Sequence, residues 1–199
     1  MIRVNQIVKD LLKSPAALIS LILLFFYIVI VVLTAFGLVA TDFATTQMEN
    51  SYAPPSLNHI FGTDFFGRDV LDRAMQGAKI AFLVGFFSAS IATLIGVFLG
   101  ALGGYFGGWV DDFVVWLYTT LESIPYILLI SAFAFALGQG LTNLYIALGL
   151  TGWVKLCRLI RSEFLKQKNL DYVQAAQAMG VGPLSKMFRH IFPNVAHLA

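Results

Sequence analysis

The 199-residue chain is 58% hydrophobic and only 12% charged, with a mean hydropathy of +0.80. So few charges cannot solvate the whole surface of a water-soluble domain of this length, which leaves lipid to cover part of it. A net charge of +2 gives nucleic-acid binding no support, and the single cysteine, Cys157 in an apolar stretch, forms no intrachain disulfide and reads as a packing residue.

No charge lies between Lys13 and Asp42. The run from Ala16 to Ala40 has the length a helix needs to cross a hydrocarbon core, and its apolar part is too long for a cleaved signal peptide. It predicts a first span. The segment from Thr41 to Gly77 then carries Asp42, Glu49, Asp64, Asp69 and Asp72 against Arg68 and Arg73. Within it, Thr63 or Asp64 can cap a helix continuing to about residue 78, with Val70, Leu71, Ala74, Met75 and Ala78 as its apolar stripe and Asp69–Arg73 as a surface pair. Such a helix lies on the outer membrane face.

The next uncharged stretch, Ile80 to Val110, predicts a second span at about 80–103 and a short loop over 105–112. Gly96 and Gly100, followed by Gly104 and Gly108, make a small-residue face suited to close helix packing. From Phe113 to Val154 the only charge is Glu122. That run predicts two spans, about 113–137 and 141–160, broken by Gly138-Gln139-Gly140. An acidic side chain in mid-span costs about 2.5–3.5 kcal/mol unless it is paired or faces water. Pro125 removes a backbone hydrogen bond and bends the helix. Glu122 and Pro125 are therefore candidates for a translocation path, with pairing of Glu122 to another helix or subunit as the other reading.

Basic residues sort to the cytoplasmic side of membranes. Arg3, Lys9 and Lys13 precede the first span, and Lys155, Arg158, Arg161, Lys166, Lys168, Lys186 and Arg189 follow or end the fourth. Four crossings place both regions in the cytoplasm and residues 41–77 outside. The expected organisation is 1–40, tail and first span; 41–78, external loop with amphipathic helix; and 79–199, a core of three spans and a cytoplasmic loop.

That last loop, Asp171 to Asn194, predicts a helix, a turn and a second helix. Tyr172, Ala175, Ala176 and Met179 fall on one helical face, Gly180 supplies the cap, Gly182-Pro183 the turn, and a helix over about 184–191 stops at Pro193. A small-residue face on a basic cytoplasmic loop suits close approach of a partner; packing against the chain's own spans is the alternative.

Gln174-Ala175-Ala176, Gly180 and Phe192-Pro193 hold the spacing of the EAA loop, and the chain here resembles the permease subunits of binding-protein-dependent ABC importers. Gln174 stands where the family has Glu, His190 where it has Ile, and Phe192 where it has Leu. His59-Ile60-Phe61-Gly62-Thr63-Asp64, then Gly67-Arg68-Asp69, is similar to the segment after the first span in C-type subunits of oligopeptide, dipeptide and nickel permeases, as is the loop from Tyr105 to Asp112. The resemblance implies an all-α polytopic bundle of the type I importer kind, ending before its last spans, in the bacterial inner membrane with a cytoplasmic N-terminus. It implies a second homologous permease, two cytoplasmic ATPases and an external solute-binding protein as partners. Gln174, Ala175, Ala176, Met179, Gly180 and Pro193 would couple to the ATPase. ATP and Mg would sit on those subunits, because Gly180-Val181-Gly182-Pro183-Leu184-Ser185-Lys186-Met187 lacks the glycine before the lysine and the Ser or Thr after it that a phosphate loop needs. The solute would be a di- or oligopeptide, nickel or another small solute being the alternative. A channel or secondary transporter using Glu122, and a membrane enzyme, are the rival classes.

Overall fold

The computed structural model describes residues 14–198, all of it helix, turn and loop apart from one isolated bridge between Thr63 and Asp69. The basic tail carrying Arg3, Lys9 and Lys13 lies outside the described residues. The chain divides into two compact units, Met1–Leu83 and Val84–Ala199.

In the first unit, α1 (Pro15–Ala35) starts on a proline, which suits a first turn whose N–H groups have no helical partner. It is polar at almost no position and leaves Ile22, Phe25 and Phe26 at least 63% exposed, as a lipid-facing helix does. The loop that follows is held by partly exposed polar groups. The Asp64 carboxylate accepts the Phe66 N–H at 2.8 Å, the Arg68 N–H at 3.1 Å and the Arg68 Nε at 2.9 Å, and pairs with Arg73. Gly67 sits at φ +72°, where a Cβ would fall 1.8 Å from the Gln47 carbonyl oxygen, so no other residue fits this turn.

This arrangement changes two expectations. Asp64 organises a turn, and the helix starts at Val70, where Asp69 Oδ1 accepts the Leu71 and Asp72 N–H groups at 2.7 and 3.2 Å. Asp69 pairs with His59 at 2.9 Å, leaving Arg73 to Asp64. The helix does not end near Ala78 either: α2 runs unbroken from Val70 to Phe106, 37 residues. Gly77 is the only weak helix former at the expected boundary, and a lone glycine costs a helix only about 1 kcal/mol.

Burial tends to raise the Asp64 pKa, but the Arg68 side chain, the two backbone N–H donors and Arg73 outweigh it and hold the carboxyl at about 2. A depressed carboxylate pKa contributes stability above the ordinary value that is lost as pH falls through the folded value. Relative to the intrinsic rate at each pH, exchange of the Phe66 and Arg68 amides should therefore become faster as pH drops from about 4 towards 2. Asp64→Asn should show that faster exchange already at neutral pH, and unchanged protection would remove Asp64 as the organiser of the loop.

The second unit is arranged around α6 (Val154–Gln167). On one side Ala101 of α2 joins Ile160 and Phe164 of α6 with Val173, Met187, Ile191 and Val195. On the other, Val114 and Tyr118 of α3 (Gly108–Glu122) meet Trp153, Val154 and Cys157. Cys157 is fully buried. The third predicted span is two helices, α3 and α4 (Tyr126–Leu137), bent by 94° at the break. Pro125 has no N–H to continue α3, and the hydroxyls of Thr119, Thr120 and Ser123 bond back to carbonyls of the preceding turn, which loosens it further. The Gly138-Gln139-Gly140 turn is where the sequence puts it, with Gly138 at φ +86° and Gly140 at φ +130°.

The fourth predicted span is also divided, into α5 (Leu141–Gly152) and α6. At the junction the Trp153 indole donates to the Leu150 carbonyl at 3.0 Å, an acceptor that an uninterrupted helix would give to the Val154 N–H. Among the described residues α1 and α2 are long and apolar enough to cross a membrane alone, and α3 with α4 makes a third if the bent pair is one crossing.

Candidate functional site

Two features of the second unit carry functional residues. The first is the hairpin after α6. Its first helix, α7 (Asp171–Ala178), ends on Gly180 at φ +78°, with the Gly180 N–H bonded to Gln177 O at 3.0 Å and the Val181 N–H to Ala176 O at 3.1 Å. These are the two bonds of a Schellman cap, and a left-handed residue is what closes it. Tyr172, Ala175 and Met179 point outward, Met179 being 75% exposed, whereas Ala176 turns inward with Val173 at 1% and 3%. The face expected to present Ala176 to a partner therefore presents its neighbours: on a helix this short, lying on α6, the stripe through 173 and 176 is the one covered. Gln174 is exposed and donates to the Asn169 carbonyl at 3.1 Å.

The second arm begins at α8 (Pro183–Ser185), widens into a π-helical stretch over Lys186–Ile191 and continues as α9 (Phe192–Val195). Pro193 does not stop it. The Phe192 N–H bonds to Met187 O, one residue further back than in an α-helix, so Pro193 falls in the first turn of a new segment, where a missing N–H is harmless. Asn194 Nδ2 donates to His190 O at 2.9 Å and to the Tyr172 hydroxyl at 3.2 Å, and that hydroxyl donates to Gln167 Oε1 at 2.8 Å. Lys186, buried, donates to Gln177 Oε1 at 3.2 Å. Both arms are thus tied to each other and to the end of α6.

The second feature is a cavity of about 400 Å³ at the α3–α4 break, lined by Leu121, Glu122, Pro125 and Tyr126 on one side and Thr151, Gly152, Val154 and Lys155 on the other. Glu122 pairs with Arg158 of α6, whose guanidinium lies 5.0 Å from the Tyr118 ring centre. Eleven residues earlier on α3, Asp111 takes a two-pronged pair from Arg161, at 2.5 and 2.6 Å. By sequence alone both arginines stand only as cytoplasmic charge. Their partners lie 36 and 50 residues away, and the one available signal was the i, i+3, i+6 row of Lys155, Arg158 and Arg161 on α6.

Gly96, Gly100 and Gly104 form the seam between α2 and α6. A Cβ at Gly96 would lie 3.0 Å from Trp153 O, one at Gly100 2.6 Å from Cys157 O, and one at Gly104 2.6 Å from both Arg161 O and Phe164 Cβ. The backbones meet because these side chains are absent.

Residues 92–199, which hold the seam, the cavity and the hairpin, match the profile of the binding-protein-dependent transport system inner membrane component. The chain belongs to that family. Over 186 residues, 94% of this chain and 58% of the relative, it is 35% identical to a dipeptide transport system permease protein of Bacillus subtilis. It is 37% identical over 153 residues, 77% of this chain and 50% of the relative, to an oligopeptide transport system permease protein of the same organism. An oligopeptide permease protein of Haemophilus influenzae is 34% identical over 188 residues, 94% of this chain and 60% of its own length. The chain thus spans about half to three-fifths of the curated relatives it matches. It is an all-α membrane protein of this family, as its sequence predicts.

Proposed function

We propose that the chain is a permease subunit of an ATP-driven importer of short peptides. The observation that carries this is the capped hairpin over 171–198, which offers Tyr172, Ala175, Met179 and Gly180 outward while its inner face is fixed to α6. A rigid, solvent-facing helix end on an otherwise membrane-bound chain is a handle through which a soluble subunit moves the spans. The peptide permeases among its relatives supply the solute class. In this reading two cytoplasmic ATPases hold ATP and Mg, a second homologous permease completes the path, and an external solute-binding protein delivers the peptide. The N-terminus and the hairpin are cytoplasmic and the loop between α1 and α2 is outside, as the distribution of Lys and Arg favours. ATP-driven closure of the ATPases swings the hairpins and switches the spans between inward-open and outward-open states, a rigid-body change between two packings.

The test is uptake of a radiolabelled dipeptide into proteoliposomes holding this chain with its partner subunits. Uptake should require ATP and the solute-binding protein together. Uptake driven by an ion gradient without ATP would overturn the reading in favour of a secondary transporter, and no peptide uptake under any of these conditions would overturn the peptide assignment.

A further inference from the structure

We propose that the cavity at the α3–α4 break is a subsite for the charged ends of a short zwitterionic peptide, with Glu122 taking the ammonium and Lys155 the carboxylate. The inference rests on the peptide-import reading and adds the groups that recognise the solute. Glu122 gives one carboxylate oxygen, Oε2, to Arg158, and its other oxygen has no hydrogen-bond partner among the described residues. The side chain keeps 37% of its surface open beside that pair. Arg158 is held from behind by the Tyr118 ring, so the carboxylate is fixed in place without being enclosed.

Lys155 lies one turn before Arg158 on α6, lines the same cavity and has no ion-pair partner among the described residues. An ammonium left unpaired beside apolar walls is a place for an anion. The Tyr126 hydroxyl, also without a partner among the described residues, adds a neutral donor and acceptor to the same lining. Leu121, Ile124, Leu129 and Val154 supply apolar wall that contacts side chains without selecting among them. At about 400 Å³ the space falls within the roughly 300–1,000 Å³ of small-ligand pockets. Its position at a broken helix is also where membrane transport proteins expose irregular backbone to a polar ligand. Opposite charges across an apolar slot recognise the two ends shared by all short peptides, so recognition is independent of peptide sequence.

The experiment is saturation binding of tritiated dialanine to the purified full chain in lipid nanodiscs, with N-acetyl-dialanine and dialanine amide as competitors. Unmodified dialanine should compete about tenfold better than either capped form, since each cap removes one charge pair. Lys155→Gln should abolish the preference over the amide and leave the preference over the acetylated form, and Glu122→Gln should do the reverse. Equal competition by all three ligands on the unmodified chain overturns the proposal with no variant needed, as does the absence of saturable dialanine binding up to about 10 mM. A preference that survives both substitutions places recognition elsewhere and also overturns it. ATP-dependent uptake by the assembled importer is the separate readout. Charge-blind binding beside normal peptide uptake removes only the subsite, whereas loss of ATP-dependent peptide uptake by the unmodified importer removes the functional reading.

Discussion

Gly104→Leu is expected to remove the chain from the membrane fraction almost completely. The Cβ alone would sit 2.6 Å from a backbone oxygen of α6 and 2.6 Å from the Phe164 Cβ, which is fully buried in the cluster joining α2, α6 and the hairpin. Overpacking a tight core costs about 1–3 kcal/mol when side chains give way. Here one obstacle is backbone, so the helices themselves must separate, and they cannot do so without exposing Ile160, Phe164 and Ile191. Gly85, on the same helix, is the control: a Cβ there meets nothing within 4 Å, and Gly85→Leu should leave abundance unchanged. Quantitative immunoblotting of membranes decides the matter. Equal abundance of both variants would mean that α2 and α6 do not meet along this seam.

The second large effect is expected at Gly180, where Gly180→Arg should lower ATP-dependent uptake at least tenfold while abundance stays near normal. No atom lies within 4 Å of a Cβ placed there, so the chain itself has room for the side chain. The left-handed backbone, φ +78°, costs a non-glycine residue only about 1–2 kcal/mol. What arginine adds is a long charged group on the surface beside Ala175 and Met179, and a residue at the centre of a docked interface is worth about 2 kcal/mol or more. Gly180→Asn separates the two causes, because asparagine tolerates this backbone and is short. It should retain uptake. If asparagine is as damaging as arginine, the cap is needed for folding and the docking argument loses its support. Ala176 is a poor probe of docking for the reason the burial pattern gives: a substitution there disrupts the chain's own packing first.

Much of this was legible from single residues. Gly180 and the Gly138-Gln139-Gly140 turn are written in the sequence because a glycine after a periodic stretch has few other uses. The apolar runs that became α1 and most of α2 needed only hydropathy. What was not legible depended on partners distant in sequence or on exact helical phase. Asp69 and Arg73 have the right spacing to pair, yet His59 and Asp64 claim them through a loop fold that no local rule describes. Ala175 and Ala176 are adjacent and equally small, and only the position of α6 decides which is buried. Pro193 looked like a stop because the rule assumes an α-helix before it, and the π-helical stretch over Lys186–Ile191 resets the phase so that proline begins a turn. The break at Trp153 arises from an indole that takes a backbone acceptor, a contact composition does not announce.

If the outward face of the hairpin meets a cytoplasmic ATPase, site-directed cross-linking at Met179 captures that contact. Met179 is 75% exposed beside the cap, and Cys157→Ala removes the one native cysteine, which is fully buried. With Met179→Cys in that background, a short bifunctional thiol reagent added to membranes of the assembled importer should join this chain to the ATPase. The yield should change when ATP replaces ADP, because the two states move the hairpin differently. No ATPase adduct in either nucleotide state, with the Met179→Cys thiol labelled by an impermeant reagent from outside intact cells, would contradict the account.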